Sequence, residues 1–249
     1  METHHPHHVT HKKKWTEYLL EFFMLFLAVF LGFIAENIRE HYVEHSREKE
    51  YIISEINDLR SDTAQFNRVI FRHQQKILQL DTLITFLHLP DRSSHLNDIY
   101  FLGRISSLNP RFIYADGTIQ QLKNAGGLRL IKHKSVADSI MKYDGRINLI
   151  KTQDEGIAEA AIDYRNEASN IFDPYIFYQI MTGALVTAHR PLNFPPLLSD
   201  DRKLINSVIS KLMYLRSVIL VTLEFCKSAK TQATNLILQL QKEYHLEKE

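Results

Sequence analysis

The sequence predicts an all-α protein: an N-terminal transmembrane helix followed by an elongated antiparallel helical bundle. Three observations predict it. Residues 22–35, FFMLFLAVFLGFIA, contain no charge and no hydrogen-bonding side chain. Beyond them, apolar residues recur at alternating spacings of 3 and 4 through long stretches, the period of a helix face. No stretch alternates apolar and polar residues between hairpin turns, as a half-buried strand would.

Residues 1–15 read as a flexible tail rich in His and Lys. His4, His5, His7, His8 and His11 cluster there, but Pro6 and the lack of a surrounding scaffold favour a loose tail over a built metal site. Residues 16–36 read as the membrane span. Extending the apolar run back to Tyr18 gives about 27 Å of helix, enough for a thin hydrocarbon core. Glu21 then falls near the headgroups, where a carboxylate is tolerated. A cleavable signal fits poorly, because Phe33 stands where the cleavage pattern before Ala35 wants a small residue. Lys12, Lys13 and Lys14 precede the span, while Arg39, Arg47 and Lys49 are spread out after it. The positive-inside rule therefore predicts a single-pass protein of the cell inner membrane, with a cytoplasmic N-terminus and a periplasmic C-terminal domain. Ala28 and Gly32 form a small-xxx-small pair that would let two spans approach closely.

Residues 37–249 read as the helical-bundle domain, with long helices over 38–88, 135–180 and 199–246. The first seam runs Ile52, Ile56, Leu59, Thr63, Phe66, Ile70, His73, Ile77, Leu80, Ile84 and Leu87, a coiled-coil-like heptad pattern. A second of comparable quality runs from Ile205 to Leu240, and a weaker third from Ile147 to Ile171. Ser199 is the expected N-cap of the last helix, ahead of Asp200 and Asp201. Between the long helices, Asp116-Gly117 makes a turn, Thr118 and Gln121 spell a capping box, Gly126-Gly127 breaks the short helix, and Ser135 caps the next. His73 on the first seam reads as a polar core position.

Function classes are narrowed mainly by absence of motifs. A formal net charge of +1 lacks the basic excess of a nucleic-acid binder, so no nucleic acid is expected. The lone Cys226 excludes an internal disulfide and reads as a small apolar core residue. No nucleophile elbow or phosphate-binding glycine loop occurs, and no cofactor is expected. One catalytic motif does appear: HYVEH, in which His41 and His45 share a helix face and Glu44 stands beside them, the inverted zincin signature. No downstream acidic ligand or mixed sheet accompanies it, so a solvated helix face is the stronger reading. Tyr100, Phe101, Phe112 and Tyr114 lie in the least regular segment, 91–117, and are read as covering the end of the core rather than docking a partner.

YLLEFFMLFLAVFLGFIAENIRE (18–40) and TIQQLKNAGGLRLIKHKSVADSIMKYD (118–144) resemble an uncharacterised family of single-span, helical membrane proteins from Bacteroidetes, of unknown function. In the second segment Leu122, Gly127, Leu128, Leu130 and Ile131 fit that family's helix–Gly–helix pattern. The resemblance implies a membrane-anchored helical protein and no activity. Together these readings predict a non-enzymatic extracytoplasmic sensor, scaffold or docking module, whose partners are the lipid bilayer, a protein yet to be identified, or a second copy. The alternatives are a structural subunit of a larger membrane complex, with Ala28 and Gly32 as its span contact, and, remotely, a membrane-tethered zinc hydrolase acting through His41, Glu44 and His45.

Overall fold

The computed structural model describes residues 14–124, 126–182, 187–190 and 194–246. The histidines at positions 4, 5, 7, 8 and 11 lie outside them. The chain is α-helical, with six α-helices among the described residues: α1 (Trp15–His88), α2 (Leu96–Ile105), α3 (Gly117–Asn124), α4 (Lys134–Ala168), α5 (Pro174–Ile180) and α6 (Arg202–Glu243). One antiparallel two-residue pair, β1 (Met181–Thr182) with β2 (Thr187–Ala188), is the sole strand pairing among the described residues, and the residue pattern carries no sign of it. The chain divides into two compact units, Met1–Glu50 and Tyr51–Glu249, with the boundary inside α1.

The first unit is helical from Trp15 onward, and its apolar side chains find no core. Every large apolar residue from Trp15 to Ile38 is exposed, and Phe26 stacks on Phe30 one turn away. α1 and α6 are both long and apolar enough to cross a membrane. The apolar window of α1 is wholly exposed, whereas that of α6 is partly buried.

The second unit is built on the seams. Its core forms two apolar clusters. One joins Ile52–Val69 of α1, Val136–Ile150 of α4 and Cys226–Leu240 of α6; the other joins Ile77–Leu87, Ile157–Ala168 and Ile205–Leu223. Early α1 thus meets early α4 and late α6. It follows that α1 and α4 run parallel and α6 runs antiparallel to both. The chain must return between α1 and α4, and it does so through a strut that is not one helix. α2 packs beside the end of α1, residues 108–116 run without helix, and α3 completes the descent. Backbone N–H groups of this strut reach down α1 in reverse order: Ile113 to Gln65 Oε1 (3.2 Å), Ala115 to Asp62 Oδ1 (2.9 Å) and Thr118 to Asp58 Oδ2 (3.0 Å). The result is an up-down-up-down bundle with a broken second member.

Several expected boundaries move. The helix expected over 135–180 is two helices: α4 ends at Ala168, and Asp173 caps a new start at Pro174 by accepting from Tyr175 N–H (2.8 Å). The last helix begins at Arg202, and its N-cap is Asp201, which accepts from Lys203 N–H (2.7 Å). Ser199 instead accepts from the N–H of Asp201 (3.1 Å), holding the turn before the cap. Ser135 lies inside α4, whose N-cap is His133. Thr118 is likewise inside α3, and Asp58 of α1 takes its N–H, so the helix start is capped from a neighbouring helix. Gly126, at φ 65°, ends that segment in the left-handed conformation that favours glycine.

Candidate functional site

The seams use two columns of each helix, but α1 has neighbours on more sides than two columns can cover. A third column of α1 is buried at heptad spacing: Glu55, Asp62, Val69, Lys76 and Leu83. Three of its five side chains are ionisable, although burial of charge is costly. What they touch accounts for most of them. Over 109–115 the strut makes no helical hydrogen bonds, so its backbone groups need partners from elsewhere. Asp62 accepts from Ala115 N–H on one oxygen and from the Tyr143 hydroxyl on the other (2.6 Å). Lys76 donates its ammonium to the carbonyl of Ile105, at the carbonyl end of α2, where a cation also meets the negative end of the helix dipole. The buried charges of α1 therefore fix where the strut unwinds.

Glu55 is different. It is 3% exposed and has no hydrogen bond or ion pair to any described residue. Burial, and then the neighbouring Asp58, Asp62 and Asp144, push its carboxyl up to about 8, so it is mostly protonated at neutral pH. Burial pushes Asp62 up to about 6, against the opposing pull of its Tyr143 and Ala115 hydrogen bonds. The hydroxyls of Tyr114 and Tyr143, packed ring edge to ring face at 6.1 Å, are both shifted strongly upward by burial and by these carboxyls. Asp144 completes the group and is paired with Lys123 of α3. Burial lowers Lys76 to about 7, and it lowers His73, with a further push from Lys76, to about 4. The Nδ1 of His73 is buried without a partner.

The residues singled out from sequence fall elsewhere. His41 and His45 are exposed, and His45 Nδ1 lies 3.6 Å from Glu48. Among the described residues no three His, Cys, Asp or Glu side chains come together as a metal site, and His41, Glu44 and His45 do not. Ala28 and Gly32 are exposed, and a Cβ placed on Gly32 would meet nothing within 4 Å. Cys226 is fully buried in the core, its thiol pushed up to about 12 by burial and by Asp154, which leaves it unreactive. Tyr100 and Phe112 are buried, Phe112 stacking on Phe66 at 4.1 Å. Phe101 lies under the guanidinium of Arg190, also at 4.1 Å. Tyr100 closes one end of the bundle with Phe172, Phe177 and Phe194, bonding the Pro196 carbonyl (3.2 Å). The aromatics of 91–117 thus serve the core.

Sequence reasoning missed Glu55, Asp62, Tyr143 and Lys76. A usable signal was present: ionisable residues spaced by seven on a helix whose two apolar columns are already filled. No family model, curated protein or solved structure matches this chain, so its chemistry is read from this arrangement alone.

Proposed function

We propose that this protein is a membrane-anchored helical bundle without catalytic activity of its own, serving as a sensor, scaffold or docking module outside the cytoplasm. The observation that carries the reading is the unbroken exposure of the large apolar residues of α1 from Trp15 to Ile38. At 1.5 Å per residue this stretch is roughly 35 Å of helix, against about 30 Å of hydrocarbon. An apolar surface of that extent needs lipid or protein around it. The lysines before the span and the sparser cations after it support an N-terminus in the cytoplasm and a bundle in the periplasm, crossing the inner membrane once.

The test is topological. A Glu249→Cys substitution in a Cys226→Ala background gives a single thiol at the C-terminus. A membrane-impermeant thiol reagent is applied to cells whose outer membrane alone has been opened. Labelling before lysis is the expected result. Labelling only after lysis places the bundle in the cytoplasm and overturns the exported reading.

A further inference from the structure

Where the strut unwinds, it leaves a cavity of about 270 Å³ against α4. Its floor is apolar, from Ile157 and Ala161, and its rim carries Asn109, Arg111, Asp154 and Arg165. Four features of that rim are unusual. Arg111 and Arg165 have no carboxylate within ion-pair distance among the described residues. Arg104 stands near enough to Arg165 for their like charges to interact, so Arg165 has a repulsive neighbour and no paired one. The Oδ1 of Asn109 is buried with no donor, while its amide nitrogen turns to the Ser107 carbonyl (3.5 Å). Last, Asp154 holds the position on the α4 seam midway between Ile150 and Ile157, where the pattern calls for an apolar residue.

Burial raises Asp154 to about 6 in spite of Arg111 and the N–H of Phe112, so it is still largely ionised at neutral pH. The site therefore offers two guanidiniums, of which Arg111 already attracts Asp154, and one partly buried carboxylate above an aliphatic floor. Its complement has two carboxylates, one ammonium and a short methylene spacer. The volume sits just below the range of pockets for drug-sized ligands, which restricts the occupant to something small.

We propose that this cavity binds a small acidic amino acid, its carboxylates on Arg111 and Arg165 and its ammonium on Asp154. Guanidinium–carboxylate pairing supplies the stronger, more directional half of such recognition. The Asp154 carboxylate supplies the discrimination against simple diacids. The assignment deepens the sensing reading above, yet the two fail separately. Absent binding removes the ligand and leaves the topology untouched; a cytoplasmic C-terminus removes the exported sensor and leaves binding intact.

The experiment is isothermal titration of the full chain in detergent micelles at pH 7.5, with L-glutamate, L-aspartate and glutarate as probes. The expected result is saturable binding of at least one of the two amino acids, with glutarate weaker. Arg165→Gln and Arg111→Gln, both at exposed side chains, should each weaken the amino acid by about tenfold or more, the scale of one hydrogen bond to a charged group. Asp154→Asn should weaken the amino acid and leave glutarate unchanged or tighter, which a merely misfolded site would not do. No heat from either amino acid at millimolar concentration overturns the proposal. So does glutarate binding as tightly as the amino acids, or binding that Arg165→Gln leaves intact.

Discussion

At the scale of single residues, the ionisable groups of the third column on α1 set opposing pH dependences. Glu55 has a folded-state value near 8 against an ordinary 4.5, so the folded protein holds a proton that the unfolded chain has lost. Its contribution is fully present below about pH 4.5 and is lost as pH rises through 8. Asp62 acts in the same sense over a lower window, between 3.8 and about 6. Lys76 acts in the opposite sense: its folded value is lowered from 10.5 to about 7, and stability is lost as pH falls through that range. Glu55→Gln isolates one of these. A neutral amide of the same shape reproduces the protonated acid, so the variant should match the wild type near pH 4.5. At pH 9 it should be more stable by about 2–4 kcal/mol, since each tenfold change in proton affinity is worth about 1.4 kcal/mol and relaxation around an ionised carboxyl recovers part of the total. Urea midpoints at the two pH values check this. Equal midpoints at pH 9 would mean that Glu55 is ionised and paired in the folded state.

At the scale of elements, the strut is tied to its neighbours by close approach as well as by hydrogen bonds. Gly103 of α2 faces the ring of Phe172, and a Cβ there would lie 2.7 Å from Phe172 Cζ; its carbonyl accepts from the Tyr164 hydroxyl at 2.6 Å. Gly103→Ala should therefore cost about 1–3 kcal/mol through overpacking. Gly145→Ala, in α4 with nothing within 4 Å of the new methyl, should stabilise by up to about 1 kcal/mol through helix propensity. Thermal melts of the two variants should move in opposite directions, and Phe172→Leu should relieve the first. These elements differ in how legible they are in the sequence. The seams on α1, α4 and α6 can be read directly, because their residues are apolar at spacings of 3 and 4, and nearly all are buried. The break before α5 escapes the same reading, since apolar residues continue past Ala168 through Ile171, Ile176 and Ile180, and only the Asp173-Pro174 pair marks the restart. The strut escapes it more completely. Its conformation is dictated by Asp58, Asp62, Gln65 and Lys76 on another helix, and such residues look like a solvated face until the neighbour is known. The candidate cavity is hidden for the same reason, being the space that an unwound strut leaves beside α4.

At the scale of the whole bundle, the core is two apolar clusters that share Ile70 at its edge, and the seam positions between them are polar: His73 on α1, Asp154 on α4 and Thr222 on α6. Thr222 satisfies itself by donating to Val218 O within its own helix (2.9 Å). His73 does not, because its Nδ1 is buried without a partner. A continuous apolar seam would be more stable, so the polar layer costs the fold free energy that other sequences would retain. His73→Leu is the direct measure of that cost. The substitution keeps the volume roughly constant, removes an unsatisfied nitrogen and joins the two clusters on α1. It should raise the urea midpoint by an amount equivalent to about 1–3 kcal/mol at pH 8. The gain should be larger at pH 5. Folded His73 is lowered from 6.5 to about 4, so wild-type stability falls as pH drops from 6.5 through 4 while the variant has no such group to protonate. A midpoint lowered at both pH values would instead show that His73 holds the two clusters in register, and the layer would then be structural.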